Sequence, residues 1–223
     1  MRVSFTFFTD RLGGYSQGDF SSLNLALHVD DEPESVLRNR DVIEQAHGKT
    51  VYMNQVHGNN VEVISAPTDQ SLTCDSLVTN VPGVTLAVLV ADCIPLLLSS
   101  RNVIAAVHVG RRGLVNGVAA KTVDIMRELG ADEITANLGP SICGPCYEVD
   151  QVTYEEVVSI HPRARSKTST GTPALDLPAA LVADLAKLSI HSHVDSRCTR
   201  EDGNLFSYRK SHRTGRQAGL IRL

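Results

Sequence analysis

Val84-Thr85-Leu86-Ala87-Val88-Leu89-Val90-Ala91-Asp92-Cys93-Ile94-Pro95-Leu96-Leu97-Leu98 is the stretch on which the fold turns. Two nearly continuous apolar runs, Val84 to Ala91 and Ile94 to Leu98, flank a short break. Runs of this kind read as strands buried on both faces of a sheet. Pro95 has no N–H for a ladder and biases Ile94 away from helix. It is expected to break or bulge the pairing just after Cys93 and to leave that thiol at an irregular, accessible point.

Moving outward, Val103 to Val107 reads as another strand, ending in His108-Val109-Gly110-Arg111-Arg112-Gly113. On the other side, short strands over Val51 to Val56 and Val61 to Ser65 bracket Asn54-Gln55-Val56-His57-Gly58. His57, Cys93 and His108 each stand where an apolar strand runs into a turn. If those strands share a sheet, their ends bring two imidazoles and a thiolate together, a three-ligand set that leaves a tetrahedral zinc one open position.

Helical patterns alternate with the strands. Asp31-Glu32-Pro33-Glu34 reads as a helix start with Asp31 as cap, and Gly48 as its stop. Val36, Leu37, Ile43 and Ala46 would face the core, with Arg40 at the edge of that face. Apolar positions Val115, Val118, Ala119, Thr122, Ile125, Met126 and Leu129 repeat at helical spacing over Leu114 to Leu129. A strand at Ile134 to Leu138, helices at about 150–160 and 177–188, and a last strand from Gln217 to Leu223 follow. The loop from Pro162 to Pro173 is expected to be the mobile one. No linker or repeat divides the chain, so a single domain over residues 1–223 is expected, a mixed-sheet α/β fold with helices packed on the sheet faces.

Composition excludes several classes of function. A 223-residue chain with 42% apolar content can bury a core without disulfides, and five cysteines cannot all pair. The formal charge of −4 gives no global attraction to nucleic acid or anionic membrane. Arg2 to Phe8 is strand-like, too short and polar for a secretory core, and no stretch approaches a membrane span. The expected location is cytoplasmic, with no nucleic-acid or membrane partner.

The residues taken alone leave the chemistry open. A strand-end His is more often a satisfied polar residue than a ligand, and buried Cys is ordinary. Cys93 with His57 or His108 also suits a thiolate nucleophile and its base. Two His and one Cys suit copper as well, but Met53, the Met nearest His57 in sequence, has an equally good core role, which favours zinc. Asp92 either orients a ligand or caps the strand end. Gly110 to Gly113, before a helix, is either an anion cradle using backbone N–H groups and guanidinium donors or a tight turn with two solvated arginines. Arg209, Lys210, Arg213 and Arg216 form a basic segment in which Gly215 allows a close turn. Cys143-Gly144-Pro145-Cys146 is a lone CxxC in a Gly-Pro turn, against a redox or metal role. Cys74 and Cys198 read most simply as buried small residues.

Ordered short matches narrow these alternatives. Leu23 to Val29, Asn39-Arg40, Gln55 to Gly58, Asp75 to Thr79, Ala91 to Leu96, His108 to Gly113, Leu138 to Ile142 with Tyr147 to Val149, and Phe206 to Arg209 before Thr214 to Gln217 run along nearly the whole chain. Together they resemble the laccase-domain family of purine nucleoside phosphorylases, also described as multicopper polyphenol oxidases and peptidoglycan editing factors. One departure is that the family usually carries Trp at Arg111, which alters the pocket wall and not the ligands. The resemblance implies the layered α/β/β/α fold also seen in cytotoxic necrotizing factor. It implies zinc on His57, Cys93 and His108, and contacts to nucleoside and phosphate from Arg40, Gln55 and Arg112. The implied reaction cleaves adenosine, inosine, guanosine or methylthioadenosine with phosphate to base and ribose-1-phosphate, with adenosine deamination in some relatives. The other readings are an amidase or editing hydrolase on cell-wall precursors, a copper polyphenol oxidase, and a non-catalytic metal or nucleotide binder.

Overall fold

The run Thr85–Val90 forms a strand whose alternate residues serve two different cores. Leu86, Val88 and Val90 face a second sheet, packing with Leu77, Leu97, Ile104 and Ala106, while Ala87 and Leu89 face Leu25, Ile43 and Leu220 on the opposite side. A strand covered on both faces has no position for an unpaired polar side chain, and Thr85 fits only because its hydroxyl donates to the His47 carbonyl at 2.6 Å; each fully buried Leu or Val contributes about 1.5–3 kcal/mol. That burial explains the absence of alternation in the sequence.

The computed structural model describes residues 4–68 and 72–223. The first sheet has the order Phe5–Phe8, Gln217–Arg222, Thr85–Val90, Thr50–Val51. The second has the order His191–Val194, Thr135–Leu138, Ile94–Ser99, Ile104–Val109, Ser76–Thr79, Val61–Val63, antiparallel within and parallel at both edges. Among the described residues the helices are α1 (Pro33–His47), α2 (Arg111–Val115), α3 (Val118–Glu128), α4 (Gln151–Ile160) and α5 (Leu177–Lys187). Ile43 of α1 packs on the first sheet; Val123, Met126, Val157, Leu181 and Leu185 of α3 to α5 pack on the outer face of the second. The result is the α/β/β/α layering and a mixed α/β domain.

Several expectations are corrected. The strands do not share one sheet: the chain leaves the first sheet at Val90 and enters the second at Ile94, so Ala91-Asp92-Cys93 is the corner between layers. Asp92, at φ 95°, makes that corner. Pro95 does not interrupt its strand. It pairs with His108, whose N–H is turned away to the Asp75 carbonyl at 2.8 Å, so neither residue donates across the ladder there. The Pro95 carbonyl accepts from Gly139 N–H at 3.0 Å.

In α1 the cap position is Glu32 rather than Asp31, and Leu37 and Ala46 are exposed. Asn39 takes the buried place instead, because its amide saturates four partners in the N-terminal loop: Tyr15 N–H, the Ser16 hydroxyl, and the carbonyls of Ser22 and Asn24. Left-handed Gly117 divides the helix expected over Leu114 to Leu129 into α2 and α3. The segment expected to be a loop carries a short strand, Arg165–Lys167, paired with Pro173–Leu175. Arg2 and Val3, expected to open the N-terminal strand, lie outside the described residues.

Candidate metal centre

The three candidate ligands come from three separate places in the fold. His57 follows the short Met53–Asn54 strand, Cys93 sits at the corner between the layers, and His108 lies within Ile104–Val109. The register that sets Ile94 opposite Val109 brings the thiol to the imidazoles. One ligand atom from each of His57, Cys93 and His108 lies within 4.8 Å of the others, and the two rings meet edge-on with centroids 4.7 Å apart. His108 is buried, Cys93 half-buried and His57 exposed, so the group opens outward on one side. Gly110 closes the back: a Cβ there would lie 3.0 Å from Cys93 Sγ and 3.1 Å from His57 Cδ2.

Asp75 holds this arrangement. Its buried carboxylate accepts the N–H groups of His57 at 2.9 Å and Gly58 at 2.7 Å, which fixes His57 in a left-handed conformation at φ 60°. It also takes His108 Nδ1 at 2.8 Å, which assigns the proton to that nitrogen and leaves Nε2 free to ligate. Burial pushes Asp75 up, but the His108 hydrogen bond and the backbone N–H groups of Gly58 and His57 hold it below the usual carboxylate value.

Burial alone would raise the Cys93 thiol. The charge and hydrogen bonds of His108, with help from His57, bring it down to about 6. Burial likewise opposes protonation of His108, but the Cys93 thiolate and Asp75 raise it to about 9. Without a cation the pair is therefore thiolate and imidazolium at neutral pH, and a metal takes the place of the imidazolium proton. In metal-free protein, iodoacetamide labelling of Cys93, followed by peptide mass spectrometry, should accelerate as pH rises through about 6. Cys74, pushed up to about 12 mainly by burial, should stay unlabelled. A Cys93 midpoint near the ordinary thiol value of 9.0 would remove the ion pair.

A cavity of about 290 Å3 opens over the three ligands, with Gln55, His28, Tyr147, Tyr208, Arg209 and Arg216 among its other walls. Arg209 stacks over Tyr147 at 4.5 Å. Burial, with Arg216 and Arg40 nearby, holds His28 below its usual value, hence neutral at pH 7. The other expected contact residues are differently placed. Gln55 lines the cavity, but its amide is committed to both backbone groups of Leu89, at 2.7 and 2.8 Å. Arg40 donates to the Leu25 carbonyl, stacks over Tyr52 at 3.9 Å and lines a neighbouring cavity that shares His28 and Leu89 with this one. Arg112 is exposed and outside the cavity lining, on a helix of only five residues, too short for the expected anion cradle. Its neighbour Arg111 turns towards Tyr147 and Glu156.

Residues 5–223 match the family model described as multi-copper polyphenol oxidoreductase laccase. The chain belongs to this family. Similar curated relatives include the purine nucleoside phosphorylase SCO2081 of Streptomyces coelicolor, 45% identical over 225 residues, covering 96% of this chain and 93% of that one. A Corynebacterium glutamicum protein also named purine nucleoside phosphorylase is 45% identical over 226 residues, covering 96% and 92%. Among solved structures, Neisseria meningitidis NMB0706 superposes with a TM-score of 0.90 at 34% identity, covering 99% of this chain and 94% of that one. YlmD of Geobacillus stearothermophilus gives 0.85 at 31%, covering 98% and 91%.

Within the family's segments, sequence reasoning assigned no role to Asp75, His28, Tyr147 or Tyr208. An Asp opening an apolar strand, in Asp75-Ser76-Leu77-Val78, was the available signal for the first. Asp92 neither orients a ligand nor only ends a strand. Its carboxylate accepts Thr199 and Ser207 hydroxyls, both at 2.6 Å, and Arg209 N–H at 2.7 Å, tying the C-terminal segment to the cavity.

Proposed function

We propose that this chain is a zinc-dependent purine nucleoside phosphorylase, cleaving adenosine and the related inosine, guanosine or methylthioadenosine with phosphate to base and ribose-1-phosphate. The observation that carries this reading is one cavity lined by the ligand triad, two tyrosines and two arginines, in a chain whose relatives of up to 45% identity bear that name. Its volume suits a compact ligand.

The donor set fits zinc. His57, Cys93 and His108 would hold it, with a neutral imidazole nitrogen and a thiolate already favoured by their neighbours. Met53, the Met nearest His57 in sequence, is buried in the core between the sheets, which favours zinc over copper. When bound, the ion supplies Lewis acidity at the floor of the cavity.

The chain's own groups supply the rest. Arg209 and Arg216 face the cavity as the donors for phosphate, and the apolar faces of Tyr147 and Tyr208 offer a surface for the purine. A phosphate oxygen bonds to the anomeric carbon as the bond to the purine nitrogen breaks. The departing purine takes a proton, for which the Tyr208 hydroxyl is a lining group of suitable chemistry. Deamination of adenosine is a second activity proposed for the same site, with no need for the arginines.

The test is incubation of purified protein with adenosine, with and without phosphate, and assay of adenine, inosine and ribose-1-phosphate. Adenine should require phosphate and inosine should not; equal adenine release without phosphate would make the protein a hydrolase. Charge-assisted bonds contribute about 1.5–3 kcal/mol, so Arg216→Ala should weaken phosphate use roughly ten- to a hundredfold. Arg112→Ala is the comparison, and a matching loss there would return the anion site to the Gly110 to Gly113 turn.

A further inference from the structure

A second group of metal-ligand side chains lies outside the cavity. Cys198 does not fill the core alone, as its sequence context suggested; it packs against the CxxC. One ligand atom from each of Cys143, Cys146, Cys198 and Glu201 lies within 4.8 Å of the others. We propose that these four residues form a second, structural zinc site that pins the cavity wall.

The two halves of the site are already built. A single helical turn at Gly144–Cys146 presents both thiols of the CxxC, closed by Cys146 N–H to the Cys143 carbonyl at 3.1 Å. Gly144 lets this turn seat, since a Cβ there would lie 2.7 Å from Ser166 Oγ. The other half is a tight turn in which Glu201 and Asp202 N–H groups donate to the Cys198 carbonyl at 3.1 and 2.9 Å. Ser141 pairs with Cys198 in a parallel bridge, and Thr199 N–H donates to the Ser141 carbonyl, so the halves are joined by backbone. Cys143 N–H already donates to Cys198 Sγ at 3.3 Å, and Cys146 Sγ lies 3.5 Å from Glu201 Oε1.

Three sulfurs and one carboxylate make a closed tetrahedral set, in contrast to the open triad of the cavity. Zinc–sulfur bonds of about 2.3 Å require sulfur atoms roughly 3.8 Å apart in a tetrahedron, so side-chain rotation and a small contraction complete the site. A disulfide would use two of the thiols and leave the third crowded against a carboxylate. A cation uses all four donors. Cys198 is buried, Cys143 and Cys146 are half-buried and Glu201 is exposed, so the carboxylate marks the entry side.

The site's place gives it a task. Tyr147 follows Cys146 directly, Arg200 Nη1 donates to the Cys146 carbonyl, and Thr199, next to Cys198, holds Asp92. A metal here ties together two segments, one carrying the cavity's Tyr147 and the other carrying Thr199, which holds its corner aspartate. It does no chemistry on substrate.

The experiment uses full-length Cys93→Ala protein, in which the cavity triad is broken, purified under reductant and loaded with cobalt(II). Thiolate-to-cobalt charge-transfer absorption should persist there at one cobalt per chain and vanish when Cys198→Ser is added. Glu201→Ala, an exposed change with no folding burden, should keep the fold and weaken cobalt binding at least roughly tenfold, a scale reached even by outer-shell losses. Absence of the absorption in reduced Cys93→Ala protein, or its survival after Cys198→Ser, overturns the proposal. Neither result bears on the phosphorylase reading, which is tested by product assay.

Discussion

Cys93→Ala should contain one zinc fewer per chain than the unaltered protein and should lose adenine release by more than roughly a hundredfold. The scale follows from the position of the thiol. Outer-shell partners of a metal cost 10–100-fold when removed, and Cys93 is the only anionic member of the triad, already a thiolate at neutral pH because His108 and His57 bring it down to about 6. Without it, two neutral imidazoles remain, a set too weak to retain zinc against dilution. The fold should survive, because the side chain is small and half-buried at a corner whose geometry Asp92 sets. Elemental analysis and thermal unfolding together make the test. Full zinc content in folded Cys93→Ala protein would place Cys93 outside the coordination sphere and leave it as a nucleophile paired with histidine.

The fold was legible where one physical demand dominated. Thr85–Val90 and Ile94–Ser99 are apolar at almost every position because both faces of each strand are covered. Their assignment to different sheets was not legible. It depends on the corner at Asp92, whose positive φ is sustained by Thr199, Ser207 and Arg209, over a hundred residues away in sequence. Pro95 misled for a related reason: a proline is harmless at a pair that exchanges no hydrogen bonds, and only the register reveals which pairs those are. In α1, periodicity gave Leu37 to the core, whereas a hydrogen-bonded asparagine sits there instead. His57, Cys93 and His108 were legible as three residues of metal-ligating chemistry near strand ends, and the fold brings them within 4.8 Å of one another. Arg209 and Arg216 were legible as members of a basic segment, whereas their place in the cavity wall followed from tertiary structure. Cys198 joins Cys143 and Cys146 through the bridge at Ser141, which no local spacing announces.

Two buried aspartates divide the work of the site. Asp92 secures the cavity wall, and Asp75 secures the ligands. Asp75→Asn is nearly isosteric, so its effect is chemical. If the amide oxygen faces His57 N–H and His108 Nδ1, the amide nitrogen faces the Gly58 and Val56 N–H groups, donor against donor. If the amide is flipped, its nitrogen donates to His108 Nδ1 and moves the ring proton to Nε2, the atom needed for the metal. Either way about 1–3 kcal/mol of stability is lost to an unpaired buried group, and zinc affinity should fall roughly 10–100-fold. The acid limb changes as well. Asp75 is held below its ordinary 3.8, so its contribution is present above that value and lost as pH falls through the depressed one. The Asn variant should lack that acid-side loss. A role confined to folding would leave the Cys93 thiol alone, whereas weakening the His108 charge removes much of what lowers the thiol, so the labelling midpoint should move up from about 6 towards 9.0. Competition titration with a zinc chelator and the labelling profile are read on the same folded protein. Unchanged affinity together with an unchanged midpoint would reduce Asp75 to a clamp on the His57 turn.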